Sequence, residues 1–283
     1  MSASVGARVR RVPVYDSQAR RIPLIYPLQE LLRYRYLVSN LVVKDLKVRY
    51  KRSSIGFIWV MLNPLLTMAV LTIVFSQVFP NKQPHYAVYV LAGTLLWGLY
   101  SQASTASMSS LQTGGPIIRK LYVPPSVFVA SAVGSGLVNF VFALVPFFGL
   151  CLIDGLRPSL LWLFLVVPAV LTTIFTAGIG LIVAAMIVFF QDIFEIYQVL
   201  LQLFYFLTPV FYPDSVIKQV PVLAAIERFN PMYLYLVAAR DATIYNKLPS
   251  LSSMGLATAI ALALFLIGWV VFTRVEDKFV YHF

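Results

Sequence analysis

Charge is what this chain has least of. Only 12% of its 283 residues are Asp, Glu, Lys or Arg, about half the roughly 25% usual in a soluble domain. Acids are the scarcer sign, 11 against 22 basic residues. There is a single cysteine, Cys151, which excludes an intrachain disulfide and a cysteine metal cluster. The two histidines, His85 and His282, stand far apart and are not expected to share a metal. No Gly-x-x-x-x-Gly-Lys-Ser/Thr phosphate loop occurs, so the chain does not bind ATP in that manner by itself. The first 50 residues lack a continuous apolar core, so no cleavable signal peptide is expected.

What is present is apolar. Hydrophobic residues make up 60% of the chain and the mean hydropathy is +0.83. Runs of about 20 apolar residues, the length that crosses a bilayer, recur along it. They predict an all-α membrane protein with six transmembrane helices: Ile55–Phe79, Val88–Ser109, Val127–Ile153, Leu160–Phe190, Ile193–Tyr212 and Leu251–Thr273. The second run is unusual, because Ser101–Ser110 is rich in Ser, Thr and Gln. Such small polar side chains either pack helix against helix or line a wet path.

Charge placement gives an orientation. Residues 1–54 hold twelve Lys/Arg against three acids. With both ends on one side, the inner segments carry sixteen basic residues and the outer loops six. Positive charge marks the cytoplasmic face, so a multi-pass protein of the plasma membrane with both termini cytoplasmic is expected. A basic N-terminus also suits nucleic acid, but ahead of six spans no nucleic-acid partner is expected.

The chain divides into a cytoplasmic tail and interface helix (1–54), a membrane domain (55–273) and a cytoplasmic C-terminus (274–283). From Leu28 a helical period gathers Leu31, Leu32, Val42, Val43 and Leu46 on one face and Arg33, Lys44, Lys47 and Lys51 on another. This predicts an amphipathic interface helix, or two helices broken near Ser39–Asn40. Its polar face meets either anionic headgroups of membrane lipid or an acidic partner. Charge then stops at Arg52 and returns only at Lys82.

Two further segments carry signals. Gly114-Gly115-Pro116 is expected to break the second span and start a new helix, which Pro124-Pro125 would stop after about two turns. This short cytoplasmic helix, 115–123, would expose Ile117, Ile118, Leu121 and Tyr122 either to a docking partner or to the bilayer. On the outer side, Pro213–Ser250 contains two apolar runs, Val220–Ile226 and Met232–Ala239, both too short to span. They are expected to be re-entrant outer helices, a lid over an exit path, with Glu227 and Arg228 at the turn between them.

No ionisable residue lies deep in any proposed span, which speaks against an ion-coupled transporter. The one carboxylate pair at helical spacing on the inner edge, Asp192 and Glu195, reads as acids complementing a helix N-terminus. No catalytic, cofactor-binding or metal-binding residues are therefore expected.

Three separated stretches resemble the ABC-2 type permeases of the O-antigen, teichoic acid and polysaccharide exporters. The first is Asp45-Leu46-Lys47-Val48-Arg49-Tyr50-Lys51-Arg52-Ser53 followed by Gly56, Trp59 and Pro64. The second is Ile117-Ile118-Arg119-Lys120-Leu121-Tyr122-Val123-Pro124. The third is Thr208-Pro209-Val210-Phe211-Tyr212-Pro213, followed by Asn230-Pro231 and Arg240. Pro125 departs from the family pattern, in which a basic residue is common.

The resemblance implies a non-catalytic homodimer joined to two copies of a separate nucleotide-binding subunit, which binds ATP and Mg²⁺. Residues 117–122 would couple to that ATPase. The cargo would be a glycan on a polyprenyl diphosphate, its path formed mainly by the first and fifth spans. Residue chemistry adds detail to that path. Arg49, Lys51 and Arg52 sit where a diphosphate would arrive, and a guanidinium holds phosphate in a fork. Phe57, Trp59, Phe204, Tyr205, Phe206 and Phe211 offer flat faces on which sugar C–H groups slide. Pro209, Pro213, Asn230 and Pro231 would shape the outer lid. An efflux permease for a small molecule or lipid, and a membrane-embedded glycan-processing enzyme, are the alternative readings.

Overall fold

Long apolar stretches without internal turn residues have one way to satisfy their backbone in lipid, the α-helix. In a computed structural model, residues 26–51, 53–76, 83–120, 123–213 and 230–279 are described, and among them every regular element is helical. Four segments are long and apolar enough to cross a membrane: Gly56–Phe75, Ser126–Ile153, Leu160–Phe189 and Leu251–Lys278. The other two expected spans have a different character. The second belongs to a 35-residue helix, α4 (Tyr86–Lys120), whose Ser and Thr content lowers its hydropathy. The fifth is α7 (Ile193–Leu207), apolar but only 15 residues long.

The chain opens with α1 (Tyr26–Arg33) and α2 (Arg35–Tyr50), which meet at Tyr34. The break falls there rather than near Ser39–Asn40, which lies inside α2. It is slight. Tyr34 N still donates to Glu30 O at 2.8 Å and Val38 N to Tyr34 O at 3.0 Å. Helix α2 is held by protein: Ser135 on α5 (Ser126–Ile153) donates to Asp45 Oδ2 at 3.3 Å. Val42 packs where Gly134 leaves room. One single-turn helix (Gly56–Ile58) then leads into α3 (Trp59–Phe75).

Helix α4 is the axis against which α3, α5 and α6 (Val166–Phe189) pack. At 1.5 Å per residue it is about 52 Å long. Its hydroxyls bond back to its own carbonyls, as in Ser107 Oγ to Ala103 O at 2.7 Å and Ser110 Oγ to Ser107 O at 2.7 Å. Small residues bring the neighbours close: Gly136 of α5 meets Ala103, and Gly180 of α6 meets Ser107. This is helix association by shape, the mode that works where lipid is as apolar as the side chains.

The expected break at Gly114-Gly115 does not occur. Helix α4 runs through Pro116 to Lys120, so 115–120 is its last turns and not a separate helix. Gly114 serves packing: a Cβ there would come within 2.7 Å of the Phe128 ring. Ile118 is buried beside Leu111, Phe128, Phe272 and Phe279, so it is not part of an exposed apolar face.

The far end of the molecule holds α8 (Pro231–Thr243), between α7 and α9 (Leu251–Val275). Asn230 caps it, its Oδ1 accepting from Tyr233 N at 3.3 Å while its Nδ2 donates to Thr208 Oγ1 at 2.9 Å. Met232, Tyr235, Leu236 and Ala239 are fully buried, so α8 is packed against the bundle. Its 13 residues extend about 20 Å, short of a crossing. The first expected outer run, Val220–Ile226, with Glu227 and Arg228, lies outside the described residues.

Candidate functional site

Amide and hydroxyl side chains are placed at intervals of three or four residues on otherwise apolar helices, and the bundle turns them toward one another. On α4 they are Thr94, Ser101, Gln102, Thr105 and Ser109. Helix α7 contributes Glu195, Gln198, Gln202 and Tyr205 along one stripe, and α3 contributes Trp59, Asn63 and Thr67. Asn139 and Phe140 come from α5, and Arg49 from the last turn of α2. Together they line a groove of about 910 Å³ that is open on one side. From Thr94 to Ser109 it follows α4 for about 22 Å.

The walls are loosely tied. Gln198 Nε2 reaches Thr105 Oγ1 at 3.5 Å, bridging α7 and α4. Asn139 Oδ1 is buried at the wall without a hydrogen-bond partner. Such a group favours water or a ligand hydroxyl as partner, since leaving it bare is costly. Aromatic rings stiffen the α8 end. Trp97 lies 5.2 Å from Tyr205 and 5.6 Å from Phe204, and Tyr100 lies 5.8 Å from Phe204.

Of the residues singled out by sequence, Arg49, Trp59 and Tyr205 line this groove. Phe204 stands behind it, against Trp97 and Tyr100. Phe57 packs edge-on to Phe142 of α5 at 4.6 Å, off the groove wall. Phe206 is 56% exposed. Phe211 is buried against Phe75, with ring centroids 4.7 Å apart. Lys51 is exposed and off the wall, and Arg52 lies outside the described residues.

At the other proposed sites, Ile117 is half-buried and Ile118 buried, while Arg119 and Lys120 belong to the last turn of α4. Leu121 and Tyr122 lie outside the described residues. Pro209 and Pro213 are buried on either side of the turn after α7, and Pro231 is the first residue of α8. Glu195 sits in the first turn of α7, where its charge suits the helix terminus, and it also faces the groove.

Sequence reasoning passes over Asn63, Asn139, Gln198 and Gln202. The available signal is spacing: Gln198 and Gln202 are one helical turn apart and continue a stripe from Glu195 to Tyr205. Among the described residues no group of His, Cys, Asp and Glu could hold a metal ion.

The chain is 29% identical over 258 residues to the "O-antigen export system permease protein RfbA" of Myxococcus xanthus, covering 90% of this chain and 98% of that one. A Klebsiella pneumoniae protein of the same name is 28% identical, covering 86% of this chain and 95% of its own. The "Polysialic acid transport protein KpsM" of Escherichia coli is 20% identical, covering 85% and 93%. The profile of the ABC-2 type transporter family matches residues 36–244, and the chain belongs to that family.

Proposed function

We propose that this chain is the membrane-spanning subunit of an ATP-driven exporter that moves a polysaccharide, O-antigen-like or teichoic-acid-like, on a polyprenyl diphosphate across the plasma membrane. It works as a homodimer with two copies of a nucleotide-binding subunit, which supplies ATP and Mg²⁺ chemistry. The membrane is crossed six times, with α4 and α7 as the second and fifth spans and both termini cytoplasmic. The observation that carries this reading is the groove: amides and hydroxyls run for about 22 Å along helices that are otherwise apolar. A path of that kind exchanges hydrogen bonds with a sugar chain at each step, since amides and hydroxyls both donate and accept. The relatives named for O-antigen export, matched over nearly their whole length, support the same cargo class.

In this scheme Arg49 receives the diphosphate at the cytoplasmic end, with Lys51 and Arg52 beside it. Trp59 and Tyr205 offer faces on which the glycan slides, and Phe57, Phe204, Phe206 and Phe211 shape the path around them. Residues 117–122 pass the motion of the ATPase to α4. The turn Pro209–Pro213 and helix α8, with Asn230 and Pro231 at its start, close the outer end. Depleting the chain should make a polyprenyl-diphosphate glycan accumulate on the cytoplasmic leaflet, and the affinity-purified chain should bring an ATPase subunit with it. Normal surface glycan after depletion would overturn the export reading. So would glycan processing by the purified chain alone.

A further inference from the structure

A path through a membrane carries a record of its cargo's charge. Pores for anions and phosphates place Arg and Lys on their walls, because a charge leaving water needs an opposite charge or a dense set of donors to replace its hydration. Among the described residues, the groove along α4 has two charged residues on its wall, Arg49 and Glu195, one of each sign. Arg49 lies in the last turn of α2 and Glu195 in the first turn of α7. Beyond them every polar contributor is an amide, a hydroxyl or an aromatic N–H or O–H.

A second copy that faced the groove with the following segments would add no charge but another Glu195. Gly56–Phe75, Tyr86–Ile118 and Ser126–Ile153 contain no Lys, Arg, His, Asp or Glu, and α7 contains only Glu195. Any pairing of these helices across a dimer axis therefore presents more of the same uncharged wall.

We infer that the polymer carried in this groove is electrically neutral along its repeat units, and that a polyanion such as a sialic acid or glycerol phosphate chain is excluded. The inference rests on the export reading and narrows its cargo class. A polyanion would hold several charges between Thr94 and Ser109 at once, with Arg49 as the one cation among the described wall residues. Glu195 would repel its leading end. A neutral sugar chain asks only for partners that donate and accept, and Gln102, Asn139, Gln198 and Gln202 do both. Asn139 Oδ1, buried in that wall, has no hydrogen-bond partner within the protein. One cation at the mouth suffices for a cargo whose anionic part is confined to a terminal diphosphate.

Two of the four tryptophans, Trp59 and Trp97, line the groove and report on occupancy. Trp162 is stacked on Phe148 and Trp269 is buried against Phe265, both away from the groove wall. The experiment titrates the full chain, reconstituted in lipid nanodiscs at low salt, with two oligosaccharides of equal length: neutral dextran oligomers and oligosialic acid. The neutral oligomer should change tryptophan emission saturably, and the oligosialic acid should bind at least tenfold more weakly. Trp59→Phe with Trp97→Phe should abolish the signal. Gln102→Lys should narrow or invert the preference. If that variant does not fold, Gln202→Lys, on the exposed rim, makes the same test. Equal or tighter binding of the oligosialic acid overturns the inference and leaves the export reading standing. Failure of both oligomers to change the emission removes the groove as a glycan path, and both readings fall together.

Discussion

Arg240 sits over the ring of Tyr89, its guanidinium carbon 3.4 Å from the ring centre, although the two residues come from helices α8 and α4. The Arg240 side chain is 2% exposed. Its Nη2 donates to Val210 O at 2.8 Å and to Tyr89 O at 3.3 Å, joining α8, α4 and the turn after α7. Nε and Nη1 have no hydrogen-bond partner, so the ring face supplies the compensation for the remaining charge. Gly93 makes the fit possible: a Cβ there would stand 2.5 Å from Val210 O and 2.8 Å from Nη2.

Replacing Arg240 should loosen the α8 end of the molecule. In Arg240→Met the Val210 carbonyl loses its partner and the ring contact goes, while the cost of burying a charge is relieved. The net loss is on the order of 2 kcal/mol. Arg240→Lys should not restore it, because an ammonium lacks the planar fork that reaches two carbonyls while stacking on a ring. Thermal unfolding of the detergent-purified protein measures this. Midpoints equal to the parent's in both variants would remove Arg240 from the structural role.

The apolar runs are legible to within a residue or two where lipid and neighbours treat a helix uniformly. The expected spans Val127–Ile153 and Leu160–Phe190 correspond to helical segments Ser126–Ile153 and Leu160–Phe189. Glycines are not legible. Gly114 looks like a breaker in sequence, yet it is a recess for Phe128, fourteen positions on, and only the tertiary fold reveals what stands opposite. The groove is hidden for the same reason. A lone Gln in an apolar helix shows its face only when its neighbours are known, and Gln198 becomes meaningful beside Thr105 of α4. Arg240 stands in the third family-like motif, but its burial is invisible in a segment that reads as an outer loop.

Helix contact through glycine predicts a contrast within one protein. At Gly268 of α9 a Cβ would collide with the carbonyl of Gly178 on α6, and backbone cannot move aside as a side chain can. Gly268→Ala should therefore destabilise the α6–α9 pair by on the order of 1–3 kcal/mol. Gly149→Ala, where nothing lies within 4 Å, should be neutral or stabilising by up to about 1 kcal/mol through helix propensity. Thermal midpoints of the two variants should move in different directions or by clearly different amounts. Equal shifts would mean that the α6–α9 contact is not tight.

The end of α4 gives a second contrast. Ile118→Asp would place a carboxylate among Leu111, Phe128, Phe272 and Phe279, at a cost of several kcal/mol unless the group is protonated. The expected outcome is poor yield of folded protein. Ile117 is only half-buried, so Ile117→Asp should fold. If this end of α4 meets the ATPase, that variant should lose ATPase stimulation and export. Monodisperse yield after extraction reads the first effect, and ATPase assays of the assembled complex read the second. Full stimulation by a folded Ile117→Asp protein would place the coupling contact elsewhere.

Arg49 and Lys51 are two residues apart but stand differently, and that difference tests how the diphosphate is received. Both are exposed, but Arg49 lines the groove and Lys51 is off its wall. If Arg49 holds a terminal diphosphate, Arg49→Gln should lower export roughly tenfold or more, because a charge-assisted forked contact is worth about 1.5–3 kcal/mol. Arg49→Lys should recover part of it, keeping the charge but losing the fork. Lys51→Gln should change export by less than about twofold, since its charge stands off the groove wall and in water. Membrane orientation should persist in all three variants, because ten or more other basic residues remain in 1–54. Surface glycan measured at equal protein level separates the outcomes. Equal losses in Arg49→Gln and Lys51→Gln would indicate a diffuse surface-charge effect, and full export by Arg49→Gln would take the diphosphate away from Arg49.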